Sequence, residues 1–289
     1  MHRSIDGLVV CMWLYMYAEL ENSFLLFSLV FCFEKSNSKI DYRNQNENRE
    51  RMVQMKVKPK LQNVNPSSFI HDYLQSCGIE NADAYIHAGI ADLQPAASYI
   101  NIDVACHRLH QAIENKERVM VLVDEDHDGS CSAAIVYNFI KSQGLKSKPL
   151  FHYVAKAHGM AADKAENLLP EIENLKPTLL IIPDASADEP TCRQLKAIGC
   201  DVIILDHHTY DFNSNPYAIV VNCLQQDGNH NASGTLVTQK FVDRYCELYG
   251  LPPVDNADLV ASSIASDVMS LTSMENRAYL NLGMEATNG

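Results

Sequence analysis

Short apolar runs alternate with longer, helix-length stretches through the middle of the chain. The runs are mostly continuous and several are rich in Val and Ile, as expected for strands that a parallel sheet buries on both faces. We predict strands at 119–123, 150–154, 178–182, 201–205 and 218–221. We predict helices between them at 131–142, 164–175 and 189–198. This order of strand and helix predicts an α/β fold with an open, mostly parallel, doubly wound sheet.

Helical patterns flank this alternating region on both sides. Before it, apolar residues recur near helical spacing at 66–76 and 103–115. After it, we predict helices at 234–249, 256–269 and 274–286. We therefore divide the chain into a helical N-terminal segment, 52–116, and a domain at 117–289 that ends in a helical part.

Residues 1–51 differ from the rest of the chain. Two apolar runs, 8–18 and 24–33, are separated by polar residues, and each has about half of the roughly 20 residues that a membrane span requires. A signal peptide is also a poor match, because no small-residue cleavage site follows cleanly. We expect an atypical extension outside the fold, no membrane association, and a true start at Met52 or Met55.

Charge and cysteine content narrow the class of protein. The formal net charge is -13, the wrong sign for a surface that binds nucleic acid through basic patches. Bound divalent cations would offset that charge if the substrate is a polyanion. The nine cysteines contain no CxxC pair, which predicts reduced thiols in the cytoplasm rather than a zinc site or a disulfide framework.

Acidic residues and histidines follow three of the predicted strands. In an open α/β sheet the ligand site lies outside the carboxyl ends of the strands, so these side chains should meet there. Clustered carboxylates repel one another unless a cation lies among them. Aspartate and histidine together suit Mn²⁺ or Mg²⁺, and histidine favours Mn²⁺. The residues are Asp124, Asp126, Asp128, Asp184, Asp206, His207 and His208.

Five motifs in order resemble those of the DHH phosphoesterase superfamily, and within it the RecJ branch. Asp267 stands at the acidic position of the last motif, ahead of an ENR triplet. One such motif alone would be weak evidence, but five in order are specific. They read VLVDEDHDGSCSAA, LLIIPDAS, GCDVIILDHH, VVNCLQQD and, in two parts, NASGTLVTQKF with ADLVASSIASDVMSLTSMENRAYL.

The resemblance implies a site with two Mn²⁺ or Mg²⁺ ions around a nucleophilic water. The implied metal residues are Asp124, Asp126, Asp128, Asp184, Asp206, His207 and Asp267. The implied catalytic residues are Asp184, the candidate bridging carboxylate, with His207 and His208; of these two histidines, we expect His208 to contact the phosphate. The implied substrate-binding residues are His208, His158, Ser233, Gly234, Asn276 and Arg277.

By the same resemblance, the chain would hydrolyse single-stranded DNA from a 5' end in DNA repair or recombination. One alternative keeps the chemistry but takes oligoribonucleotides or cyclic dinucleotides; Leu122 argues against it, because those relatives carry a histidine there. Another is an inactive scaffold of a replication or repair complex. RecJ proteins continue into a second lobe, DHHA1, whose motif is absent here, so we expect a partner or a C-terminal continuation to supply it.

Overall fold

A computed structural model describes residues 67–145, 150–154, 165–209, 215–225 and 227–288. Contacts divide the chain into two compact units, Met1–Cys77 and Gly78–Gly289. In the first, the structure describes helix α1 (Phe69–Ser76). The extension predicted at 1–51 lies outside the described residues, as does His158. The domain division at residues 51 and 116 stays a prediction.

The second unit contains the predicted alternation of strands and helices. Its elements, in chain order, are α2 (Ala82–Ile86), α3 (Ile102–Glu114), β1 (Val119–Val123), α4 (His127–Ser142), β2 (Leu150–Val154), α5 (Ala165–Leu175), β3 (Leu179–Pro183), α6 (Glu189–Ala197), β4 (Asp201–Asp206), β5 (Ala218–Asn222), α7 (Gly234–Tyr249), α8 (Ala257–Ser266) and α9 (Met274–Asn288). Short 3-10 turns lie at Ile90–Asp92, Ala96–Ser98 and Cys223–Gln225. Neither α2 nor these turns were predicted.

The five strands form one parallel sheet in the order β2-β1-β3-β4-β5. The sheet has a hydrophobic core on each face, and alternate residues of β1 belong to one core or the other. Val119 and Val121 pack with α3, α4 and α7, whereas Met120 and Leu122 pack with α5 and α6 on the other face. Because both faces are covered, the inner strands β1, β3 and β4 are apolar between their ends. The predicted open, doubly wound α/β sheet with helices after it is confirmed.

The first strand lies at the point where the sheet changes direction. The chain leaves β1 for β2 on one side and returns to β3 on the other. Connections that diverge in this way leave a crevice at the carboxyl ends of the two central strands. Asp124 follows β1 and Asp184 follows β3, so the strand order brings both residues to this crevice.

Two of the largest differences from the predicted helix boundaries lie at acidic residues of the predicted site. Helix α4 begins at His127 rather than 131, because the Asp126 side chain accepts a hydrogen bond from Gly129 N and caps it. Helix α8 ends at Ser266 rather than 269, with Asp267 as its C-cap. Asp126, predicted to lie before the helix, thus caps its start, whereas Asp267, predicted to lie inside a helix, follows its end.

A buried ion pair fixes the helices that follow the sheet. Lys240 Nζ of α7 lies 2.6 Å from Glu275 Oε1 of α9 and donates to the carbonyl of Gln94 at 2.7 Å. Asn229 Nδ2 donates to the other Glu275 oxygen at 3.1 Å. This network ties the loop before α7 to α9 and so holds the N-terminus of α7 in place. In the part of the chain that the structure describes, no helix is both long and apolar enough to cross a membrane.

Candidate metal centre

The first acidic group lies where β1 turns into α4. Asp124 is fully buried directly after the strand, and Asp126 caps the helix. The turn is tight enough to require glycine at position 129, since a Cβ there would lie 2.4 Å from Asp124 Cβ. Gly129 therefore lets the helix start beside Asp124, and three acids share one short turn.

Asp128 is held by the N-terminus of α7. Its carboxylate accepts hydrogen bonds from Gly234 N and Thr235 N, each at 2.8 Å, and from the Thr235 hydroxyl. The first N–H groups of a helix have no partner within the helix and favour a negative charge. They therefore fix the orientation of this carboxylate.

Asp184 adopts a strained backbone conformation at the end of β3. Its φ is 57°, in the left-handed region that non-glycine residues rarely adopt, and its N–H donates to Leu205 O at 2.8 Å. Helix α7 approaches closely, since a Cβ on Gly234 would lie 2.3 Å from Asp184 Oδ1. Asp184 is 1% exposed, and neither carboxylate oxygen has a hydrogen-bond partner among the described residues.

The end of β4 presents Asp206 and two histidines that face different ways. Asp206 Oδ1 accepts from the backbone N–H of His207 at 2.8 Å and from Nδ1 of His208 at 2.8 Å. The His207 ring is 8% exposed, and its Nε2 lies 3.2 Å from Asp184 Oδ1 and 3.6 Å from Asp267 Oδ2. The His208 ring is 40% exposed. His207 thus points into the carboxylates, whereas His208 borders solvent.

The seven predicted metal residues and His208 converge into three overlapping groups. Within each group the candidate ligand atoms lie within 4.8 Å of one another. Asp184 belongs to two groups, as does His207. The groups are Asp184 with Asp206, His207 and His208; Asp128 with His207 and Asp267; and Asp124 with Asp126 and Asp184. The structure thus brings the predicted residues together, and their role as ligands stays a prediction.

Several buried polar atoms in these groups fit a cation. Both oxygens of Asp184, Oδ2 of Asp206 and Nε2 of His207 are buried and have no hydrogen-bond partner among the described residues. Leaving such groups unpaired in a protein interior is costly. A divalent cation with carboxylate and imidazole ligands would satisfy them, so these residues fit a metal centre.

The pKa shifts of the acids also indicate that the negative charges at the centre lack enough positive charge to balance them. Burial, together with the negative charges of Asp128, Asp126 and Asp206, raises the pKa of Asp184 to about 10. Burial likewise raises the pKa of Asp267. The hydrogen bond to Asp206 raises the pKa of His208. Although burial alone would raise the pKa of Asp206, hydrogen bonds and charge from His208 lower it.

Stabilisation by Mn²⁺ should increase with pH. In the cation-free fold the pKa of Asp184 is about 10, whereas an unfolded aspartate titrates near about 3.9. The folded state therefore holds a proton that the unfolded state releases, and this contribution to stability is lost as pH rises towards 10. A cation must displace that proton. Thermal unfolding should show a larger gain in Tm from Mn²⁺, relative to EDTA, at about pH 8 than at about pH 6. An equal gain at both would contradict a proton-linked site.

The predicted substrate residues at the start of α7 have structural partners. Ser233 is fully buried and caps α7 by accepting from Leu236 N at 3.2 Å. Its hydroxyl also lies 2.8 Å from Ser263 Oγ. The Gly234 N–H donates to Asp128. Both residues hold the helix against the metal centre, and a contact with substrate stays a prediction.

The predicted residues on α9 also hold the fold together. Asn276 is buried; its amide donates to Asn231 O at 2.8 Å and Ser270 O at 3.0 Å and accepts from Asn229. The Arg277 guanidinium lies 5.4 Å from the centre of the Tyr85 ring. The bonds of Asn276 support the loop before α7, Arg277 packs on α2, and substrate binding by both residues stays a prediction.

Two residues that position the centre were missed in the sequence. Thr235 binds Asp128 through its N–H and its hydroxyl. Asn222, the last residue of β5, donates to the carbonyl of His208 at 2.9 Å and accepts from Leu224 N. Asn222 directly follows the strand predicted at 218–221, at the same edge as the acids, a signal that could have identified it. Thr235 had no comparable signal.

Known proteins show the same domain. The sequence profile of the DHH family, N-terminal domain, matches residues 118–264, slightly more than half of the chain. YorK of Bacillus subtilis, named a putative SPbeta prophage-derived single-strand DNA-specific exonuclease, is 27% identical over 218 residues, which cover 73% of this chain and 36% of YorK. The single-stranded-DNA-specific exonuclease RecJ of Thermus thermophilus is 27% identical over 215 residues, covering 72% of this chain and 32% of RecJ.

Solved structures agree with these matches. RecJ of Thermus thermophilus in complex with Mn²⁺ has a TM-score of 0.60 at 23% identity, covering 73% of this chain and 30% of that one. A manganese-bound exonuclease RecJ has a TM-score of 0.57 at 25% identity, covering 65% of this chain and 48% of that one. The chain spans about a third of the length of the two relatives compared by sequence.

Proposed function

Because this chain belongs to the DHH family, we propose that it is a metal-dependent phosphodiesterase that hydrolyses single-stranded DNA as a 5'–3' exonuclease. The observation that carries the proposal is the set of buried, unpaired carboxylate and imidazole atoms at the carboxyl edge of the sheet. The name of one relative supports the substrate, since RecJ of Thermus thermophilus is a single-stranded-DNA-specific exonuclease.

Two Mn²⁺ or Mg²⁺ ions would occupy the overlapping groups, with Asp184 as the shared ligand. Asp124 and Asp126 would hold one ion, and Asp128, Asp206, His207 and Asp267 would complete the second. When bound, such ions lower the pKa of a coordinated water and neutralise charge on the phosphate. The manganese in the structure of the 25% identical RecJ supports this choice of metal.

Residues of the chain would orient the phosphate and hold the Asp128 carboxylate in a fixed position. Asp206 accepts from His208 Nδ1, which fixes the ring and raises the pKa of His208. The half-exposed ring can therefore carry a proton at Nε2 and donate it in a hydrogen bond to a phosphate oxygen. The N-terminus of α7 keeps Asp128 in one orientation, so the ligand set is arranged before substrate arrives.

A nuclease assay tests the proposal and separates its alternatives. Single-stranded DNA labelled at either end, duplex DNA, short RNA and a cyclic dinucleotide would each be incubated with the chain in Mn²⁺ and in EDTA. We expect mononucleotides from single-stranded DNA in Mn²⁺ only, released from the 5' end. Cleavage confined to RNA or the cyclic dinucleotide would indicate the other substrate class. No cleavage of any substrate would indicate an inactive scaffold.

Chelation should weaken DNA binding as well as hydrolysis. The chain carries a net charge of -13, so without cations it repels a polyanion. Fluorescence anisotropy at about 0.1 M salt should show a Kd for single-stranded DNA at least about tenfold higher in EDTA than in Ca²⁺, a cation chosen to limit hydrolysis. A Kd that is equally low in EDTA would show that cations do not hold the phosphates.

A further inference from the structure

A pocket of about 290 Å³ lies between α4 and the edge strand β2, beside the metal centre. Its lining includes Tyr137 and His152, whose rings meet edge to face with centroids 5.9 Å apart, and two polar side chains, Ser130 and Asn138. The other lining side chains are alanine and valine, and none of the described lining residues is charged.

The pocket begins beside the turn that carries the acids and extends away from it along α4. Ser130 lies two residues after Asp128, which is about 3 Å along the helix axis, and its N–H donates to Asp126 O. Val123, also in the lining, directly precedes Asp124. Asn138 lies ten residues after Asp128, about 15 Å along the same axis. A DNA strand whose phosphate lies at the metal centre would therefore reach the pocket through the nucleotides beside that phosphate.

The chemistry of the lining selects one part of a nucleotide. Phosphate is bound most strongly by cationic donors, and no lysine or arginine is among the described residues of the lining. A nucleobase offers an apolar ring face that stacks on aromatic side chains and polar edges that bind amides and hydroxyls. The volume is at the lower end of the range for small-ligand pockets, about 300–1,000 Å³, which suits one ring system.

We propose that this pocket binds a nucleobase of a DNA strand held at the metal centre, with His152 and Tyr137 as the aromatic walls and Asn138 on the base edge. This inference rests on the proposed function and deepens it. It makes His152 a residue that positions the strand rather than one that reacts. It also gives the strand a neutral point of attachment on a protein of net charge -13.

The test pairs protein variants with substrates that lack a base. His152→Ala removes an exposed side chain at little risk to the fold, and Asn138→Ala is a second variant. His107→Ala, an exposed histidine of α3 outside the lining, is the matched control. Each protein would be assayed in Mn²⁺ on an oligonucleotide and on versions with one abasic nucleotide at successive positions.

We expect His152→Ala to lower kcat/KM on the intact strand roughly tenfold, as loss of one base-stacking contact does. One abasic position should slow the natural protein to a similar extent, and there His152→Ala should cause no further loss. His107→Ala should match the natural protein throughout. Equal slowing of intact and abasic strands by His152→Ala, or no slowing at all, would overturn the inference.

A metal-free measurement keeps the inference separate from the proposed hydrolysis. In EDTA, thymidine and deoxyadenosine should shift the ring resonances of His152 in NMR spectra, whereas inorganic phosphate should not. The Asn138→Ala variant should weaken the nucleoside effect. No shift with either nucleoside, or a shift with phosphate, would refute a base site whether or not the chain cleaves DNA. Failure of the natural protein to cleave any strand, with nucleoside binding intact, would refute the proposed function alone.

Discussion

Replacing Asp184 by asparagine is expected to abolish Mn²⁺-dependent hydrolysis, with a fall in kcat of at least about 10³-fold, equivalent to about 4 kcal/mol. Asp184 belongs to two of the three ligand groups and presents two unpaired oxygens to them. Asparagine keeps the shape of the side chain but offers one neutral oxygen, so both groups lose a charged ligand. Steady-state kinetics on single-stranded DNA would measure the loss of activity. Calorimetric titration of Mn²⁺ would measure the loss of metal binding.

The fold should survive this substitution. In EDTA the variant should unfold at a Tm equal to or above that of the natural protein, because Asp184 must take up a proton to stay neutral in the cation-free fold, whereas asparagine is neutral without one. Glu285→Gln makes the same change of charge on the exposed side of α9 and should leave activity unchanged. Full activity of Asp184→Asn in saturating Mn²⁺ would refute the assignment of Asp184 as a ligand.

Gly234→Ala should damage activity and stability together. The added Cβ would lie 2.3 Å from Asp184 Oδ1 and 2.5 Å from Asp184 Cβ, so α7 or the carboxylate must move. Overpacking of this kind costs about 1–3 kcal/mol. Because the N–H of residue 234 also holds Asp128, a shift of α7 disturbs two acids, and we expect kcat to fall at least about 100-fold. Urea unfolding and single-strand hydrolysis would measure the two effects.

Gly89→Ala is the matched control for this substitution. A Cβ on Gly89 would meet only His87 O, at 4.0 Å, which is an ordinary contact. Its stability and activity should stay close to those of the natural protein. If Gly234→Ala behaved like Gly89→Ala, the close packing of α7 on Asp184 would not be needed for activity.

The sheet could be predicted because buried strands have a recognisable pattern of apolar residues. Strands β1 and β2 match the prediction at both ends, and β3 is displaced by one residue. Strands buried on both faces must be continuously apolar, and the acids that end them mark the carboxyl edge. Strand order then brings Asp124 and Asp184 to one crevice, as predicted.

What could not be predicted depends on contacts between distant parts of the chain. Asp126 was assigned to a loop because hydrophobic periodicity does not detect a polar residue that caps a helix. The bonds from Thr235 to Asp128 join two helices across the sheet edge. Asn276 was matched to a substrate role by its motif, yet its side chain bonds inward to Asn229 and Asn231. Periodicity shows which face of an element is apolar but not which buried polar groups pair.

The candidate ligands come from segments spread between Asp124 and Asp267, so metal binding would connect parts of the chain that are far apart in sequence. Two cations held by these groups would close long loops of the unfolded chain, the effect by which a disulfide restricts an unfolded ensemble. No disulfide joins the cysteines that the structure describes. Bound metal would therefore act as a reversible crosslink across most of the domain. Removal of the metal by a chelator would destabilise this fold, as reduction of its disulfides destabilises a secreted protein.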